Sequence, residues 1–182
     1  MRQPNIHGGG AKTNRNGLSF EKRTDFMTAL ENNPDIETEF DPLTNRYIQT
    51  IYYKDEEIGA YTEKHDFYKY IESFGINWKE RVSKKYLPDG VFINFKTNVL
   101  YVIEKKFQET SGSVDEKLQT CDFKRKTFEK IAGDIFNKVN YYYLLNDYFM
   151  DPQYDDVKAY IESVGCKYFI EEISLNALGI VD

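Results

Sequence analysis

Histidine and cysteine are both scarce, with two of each in 182 residues, and that scarcity removes several chemistries at once. His7 and His65 are too few to build a histidine-based metal centre. Cys121 and Cys166 are too few and too isolated for a disulfide framework or a zinc site, so a reducing cytoplasm is the expected setting. No apolar stretch is long enough to span a bilayer and no signal peptide opens the chain, so no membrane partner is expected. The glycines at 8–10 run into Ala11-Lys12-Thr13 rather than the G-x-x-x-x-G-K-[ST] spacing of a phosphate loop, and Ser113 sits in no G-x-S-x-G elbow. A basic surplus is missing too. The formal charge is −6, whereas nucleic-acid binders usually carry a positive one.

What remains is a chain with the means to fold and an uneven charge map. Hydrophobic residues make up 41% and aromatics 16%, enough for the core of one α/β domain at this length. Residues 1–23 hold Arg2, Lys12, Arg15, Lys22 and Arg23 against the single acid Glu21. The stretch 117–130 holds Lys117, Lys124, Arg125, Lys126 and Lys130 against Asp122 and Glu129, while acids pool over 31–57. A phosphate ligand responds to the local field rather than to net charge, so a one-sided basic surface is compatible with an acidic protein. Such runs are also what solvated faces look like.

Residues 1–16, with three consecutive glycines and many polar side chains, read as a flexible arm; 17–182 read as a single domain. Apolar spacing predicts helices over 17–30 and 64–74 and a strand over 46–53. Pro88 and Gly90 fix the start of a strand over 91–95. A tight turn at 96–98 follows, and then an apolar strand at 99–103 suited to the middle of a sheet. A helix is expected from Ser113 to about residue 131, with Ser113 and Glu116 at capping-box spacing and Gly133 as its stop. Strands over 139–145 and 167–170 and a helix over 155–164 complete a mixed sheet flanked by helices. The tyrosines at 141–143 read as buried strand rather than as a base-stacking platform.

The apolar strand runs straight into Glu104-Lys105-Lys106. Glu104 and Lys106 are two apart and share one face of the sheet, with Lys105 on the other. A carboxylate and an ammonium at a part-buried strand end are costly unless they pair or bind something. Asp89 opens the neighbouring strand and can bring a second carboxylate to Glu104. Two adjacent carboxylates repel, and a hard divalent cation with oxygen ligands relieves that repulsion.

Pro88-Asp89 followed by Glu104-Lys105-Lys106 resembles the PD-(D/E)XK nuclease superfamily, which includes most type II restriction endonucleases. Gln108 completes an E-x-K-x-Q pattern. Residues 110–117 are similar to an "SGS…EK" segment of restriction-type members, and 16–21 resemble the family's first helix, whose Glu often joins the metal site. The resemblance covers roughly 17–32 and 86–133. It implies a restriction-endonuclease-like core and a Mg²⁺-dependent deoxyribonuclease, with Mn²⁺ able to substitute. On this pattern Asp89, Glu104 and Glu21 hold the metal, and Lys106 and Gln108 complete the catalytic set. Lys12, Arg15, Ser111, Ser113, Lys117 and Lys124 are the expected contacts to double-stranded DNA. A homodimer would cut both strands of a specific site. The alternatives are a structure-specific nuclease of the same fold, such as a junction resolvase or repair nuclease, and a DNA-binding module that no longer cuts.

Overall fold

The computed structural model describes residues 16, 17, 19, 20, 30, 33–40, 47–110 and 114–181. Seven strands lie side by side in sequence order: β1 (Ile36–Glu39), β2 (Gln49–Tyr53), β3 (Glu56–Thr62), β4 (Gly90–Asn94), β5 (Val99–Lys106), β6 (Lys138–Leu145) and β7 (Lys167–Ile170). Strands β1 to β5 pair antiparallel, and β5, β6 and β7 pair parallel. Parallel neighbours need crossovers. Helices α2 (Val114–Leu118) and α3 (Cys121–Ala132) bridge β5 to β6, and α4 (Asp155–Ser163) bridges β6 to β7. Helix α1 (Lys64–Ser73) follows β3. The result is a mixed sheet with flanking helices, as the alternation of patterns predicts.

Period-two alternation sorts the strand side chains between two cores. Val91, Ile93, Leu100, Val102, Val139, Tyr141 and Tyr143 face the helices, packing with Phe67, Tyr68 and Ile71 of α1, Phe128 and Ile131 of α3 and Ile161 of α4. Phe92, Tyr101, Ile103, Tyr142 and Leu144 face the opposite way, onto Phe20, Leu30, Ile173 and Leu178. Each such fully buried side chain contributes about 1.5–3 kcal/mol. All three tyrosines at 141–143 are buried in strand β6, as expected.

The β4–β5 hairpin positions the strand ends. Asn98 takes a positive φ of 53°, a conformation Asn tolerates better than most residues, and its amide donates to the distant Ile135 carbonyl at 2.9 Å. Asn94 Oδ1 accepts from the Thr97 N–H at 3.0 Å across the turn. At the other end, a Cβ on Gly90 would lie 2.5 Å from the Tyr61 hydroxyl, so only glycine lets Tyr61 pack against the start of β4. The Pro88 carbonyl accepts from the Lys64 N–H at 3.0 Å, anchoring that start to α1.

Several expectations need correction. The helix over 113–131 is not continuous: it breaks at Gln119 and Thr120. The Lys117 carbonyl explains the break. It accepts from the Thr120 N–H at 3.2 Å, the Thr120 hydroxyl at 2.7 Å and the Tyr143 hydroxyl at 2.9 Å, closing a turn where the next helical bond would form. Strands β1 and β3 fall where no strand is expected. Asn16, assigned to the flexible arm, is helical and donates through its side chain to Glu109 at 2.6 Å. Cys121 and Cys166 are not isolated: their thiols are hydrogen-bond neighbours in the core. No helix among the described residues is long and apolar enough to cross a membrane.

Candidate active site

Strand β5 ends in charge at the place where the sheet changes from antiparallel to parallel pairing. Its neighbours are therefore β4 running against it and β6 running with it. Gly90 pairs with Ile103, so continuing the register by one residue sets Asp89 opposite Glu104. Cross-strand neighbours share a face. Odd positions of β4 and even positions of β5 face the helices, and Asp89, Glu104 and Lys106 continue that side. The Asp89 carboxylate accepts from the Lys105 backbone N–H at 2.9 Å, which fixes it against the end of β5.

Glu104 is the hub. Its Oε1 accepts from Lys106 Nζ and from Lys124 Nζ, each at 2.7 Å, and its Oε2 accepts from the Tyr141 hydroxyl at 2.9 Å. Only 13% of the Glu104 side chain is exposed, against 15% for Lys106 and 20% for Lys124. Lys106 Nζ also donates to the Lys105 carbonyl at 3.0 Å. Burial alone would push the Glu104 carboxyl up, but the charges and hydrogen bonds of Lys106 and Lys124 outweigh it and hold the group below the usual carboxylate range. Tyr141 moves the other way: burial first, then the negative charge of Glu104, raises its phenol far above the usual value, and Asp89 adds to the effect. Tyr141 is therefore a hydrogen-bond donor and not a base.

Lys124 and Tyr141 are the two members that sequence reasoning placed elsewhere. Lys124, expected on DNA backbone, points from α3 into the sheet and meets Glu104. Tyr141, expected as core, is core along its ring and site at its hydroxyl. Val102 is opposite Tyr141 in the parallel β5–β6 ladder, so the hydroxyl comes up one step behind Glu104 on the same face.

The remaining expected residues divide. Gln108 is buried and braces the exit of β5: its N–H donates to Asn146 Oδ1 at 3.0 Å, its carbonyl accepts from Asn146 Nδ2 at 2.9 Å, and its amide donates to the Tyr154 hydroxyl at 3.4 Å. Lys117 is exposed at the end of α2. Glu21, Lys12, Arg15, Ser111 and Ser113 lie outside the described residues. A cleft of about 680 Å³ opens beside the β5 exit, between Phe20, Phe107, Gln108 and Tyr148.

Among the described residues no three Asp, Glu, His or Cys side chains converge as a metal-holding group. The continued register sets two carboxylates, Asp89 and Glu104, opposite one another. A pair is enough for Mg²⁺, which typically takes one or two protein carboxylates and fills its octahedron with water and phosphate oxygens. The hard-oxygen donor set fits that ion and argues against a thiophilic one. No protein-family model, curated protein or solved structure matches this chain.

Proposed function

We propose that this chain is a divalent-metal-dependent DNA endonuclease that hydrolyses phosphodiester bonds, with a restriction-endonuclease-like core. The observation that carries the reading is the β4–β5 register, which continued by one residue sets Asp89 opposite Glu104, with the Asp89 carboxylate on the Lys105 N–H at 2.9 Å and the Lys106 amine 2.7 Å from Glu104. Asp89 and Glu104 would hold Mg²⁺, with Mn²⁺ as a substitute. When bound, the cation would polarise a phosphate oxygen and lower the pKa of a coordinated water. Lys106 supplies a fixed ammonium where negative charge grows on the phosphorus in the transition state, an electrostatic contribution that needs no reorganisation. Glu104 keeps that ammonium in place, and Tyr141 keeps Glu104 in place. The part-buried setting strengthens each of these interactions relative to water.

Double-stranded DNA is the proposed substrate, cut at a specific sequence by a homodimer whose two-fold symmetry matches a palindromic site. Incubation of the purified chain with supercoiled plasmid and Mg²⁺ tests this, and discrete linear fragments are the expected product. Preference for a branched substrate over linear duplex would reassign the enzyme to the structure-specific class. Absence of cutting on either, with intact DNA binding, would reduce it to a binding module.

A further inference from the structure

Glu104 carries more positive charge than one carboxylate needs. Lys106 and Lys124 place their Nζ atoms at 2.7 Å from the same Oε1, so two ammonium groups crowd one oxygen and repel each other. The other oxygen is already occupied by the Tyr141 hydroxyl. The two amines are not held alike. Lys106 rises from β5 itself and has a second acceptor in the Lys105 carbonyl at 3.0 Å. Lys124 reaches across from α3, and Glu104 is its one hydrogen-bond acceptor among the described residues.

Resting on the metal-dependent reading above, we propose that Lys124 is the resident counter-ion of the cation site: its ammonium neutralises Glu104 in the metal-free protein and leaves Oε1 when a divalent cation binds. Lys124 is a positioning residue on this view. It keeps Glu104 aimed while the site holds no cation, and it opposes cation binding until something else accepts the displaced ammonium. A DNA phosphate is the natural acceptor. Cation and DNA then favour each other's binding through one side chain, and the coupling is reciprocal.

The test is calorimetric titration of the full chain with Mn²⁺ in the absence of DNA. Four variants accompany the wild type: Lys124→Gln, Lys124→Arg, Lys130→Gln and Asp89→Asn. Lys124→Gln is expected to bind Mn²⁺ on the order of tenfold more tightly than wild type. Lys124→Arg keeps the charge and should keep the weak affinity. Lys130→Gln removes the same charge from the exposed side of the same helix and should match wild type, which separates displacement from a general change in field. Asp89→Asn should lose binding. Far-UV circular dichroism establishes that each variant is folded, and Lys124→Met, which removes the same charge with a different side chain, takes the place of Lys124→Gln if that variant is not. Unchanged or weaker affinity in Lys124→Gln, alongside loss in Asp89→Asn, overturns the counter-ion role and leaves the metal reading standing. Equal binding in Asp89→Asn and wild type, or no binding in any variant, overturns the metal reading and the counter-ion role with it.

Discussion

Helix α3 carries two ion-pair networks, and they differ in how they are made. Along its outer side Asp122 pairs with Arg125 at 3.1 Å and Lys126 at 2.6 Å, and Arg125 also pairs with Glu129. All of these are i,i+3 or i,i+4 neighbours, so helical periodicity alone brings them together. On its inner side Lys124 meets Glu104, which also takes Lys106 and Tyr141. Those partners come from β5, β6 and α3, and exist as a group only in the folded sheet. The outer network matches two acids with two bases and opens to solvent at its ends, with Lys126 61% and Glu129 39% exposed around a part-buried Asp122–Arg125 pair. The inner one loads two amines onto a single carboxylate that is 13% exposed. Charge that a helix arranges for itself says little about function; charge gathered from separate elements and shielded from water needs a purpose.

The largest expected separation between the two networks is in catalysis. Asp89→Ala and Lys106→Ala should each lower plasmid cleavage by about 10²–10³-fold or more, the scale for losing one preorganised charge-stabilising group. DNA binding with Ca²⁺ in place of Mg²⁺ should largely persist in both. Glu129→Gln on the outer network should cleave like wild type. Cleavage that survives Lys106→Ala would sink the assignment of the inner cluster.

Stability should separate them next. Glu104→Ala strands two part-buried ammonium groups, and removing one partner of such a pair costs about 3–5 kcal/mol when burial is complete and correspondingly less at this exposure. Glu129→Ala removes a partner that is 39% exposed and leaves Arg125 its bond to Asp122, so a loss of about 0–1 kcal/mol, typical of exposed pairs, is expected. Urea denaturation of the two variants measures the gap, and equal midpoints would mean that the inner cluster is no more committed than the outer. A smaller effect belongs to Tyr141→Phe. It deletes one hydrogen bond to a charged acceptor without emptying the core, so about 1.5–3 kcal/mol is the expected loss.

The same contrast explains what could be read in the sequence. Asp89, Glu104 and Lys106 were legible because an apolar run, a tight turn and period-two parity place them without knowledge of the rest of the chain. Lys124 and Tyr141 were not. The face that Lys124 takes depends on a helix break at Gln119 and Thr120 that Tyr143, from another strand, helps to create. The alignment of Tyr141 with Glu104 depends on the register of a parallel pair, which is set by a crossover and not by a turn. Strands β1 and β3 were hidden by their acids, Glu37, Glu39, Glu56 and Glu57. The hairpin joining β2 to β3 turns on Lys54 and Asp55 at φ of 51° and 64°, without the Asn-Gly or Asp-Gly signal that usually marks such a turn.

Acid sensitivity in salt draws the finest distinction. Both networks hold a carboxyl below its ordinary range: Glu104 because Lys106 and Lys124 outweigh its burial, and Asp122 chiefly through the hydrogen bond from Lys126. A carboxyl depressed by folding stabilises the native state fully above its ordinary value, 4.5 for Glu104 and 3.8 for Asp122. That stabilisation is lost as pH falls through the lower folded value, because in that window the unfolded chain binds the extra proton. Glu104→Gln and Asp122→Asn should therefore each flatten the loss of stability on acidification. Raising the salt to about 1 M shortens the screening length to about 3 Å. The exposed Lys126–Asp122 pair should then contribute little, and Asp122→Asn should become indistinguishable from wild type. The flattening by Glu104→Gln should survive, because its partners sit within hydrogen-bonding distance and largely out of water. Urea midpoints between about pH 6 and 3 at low and high salt measure both. If salt erases the two effects alike, the inner cluster is solvated, and the low-dielectric setting proposed for its chemistry does not exist.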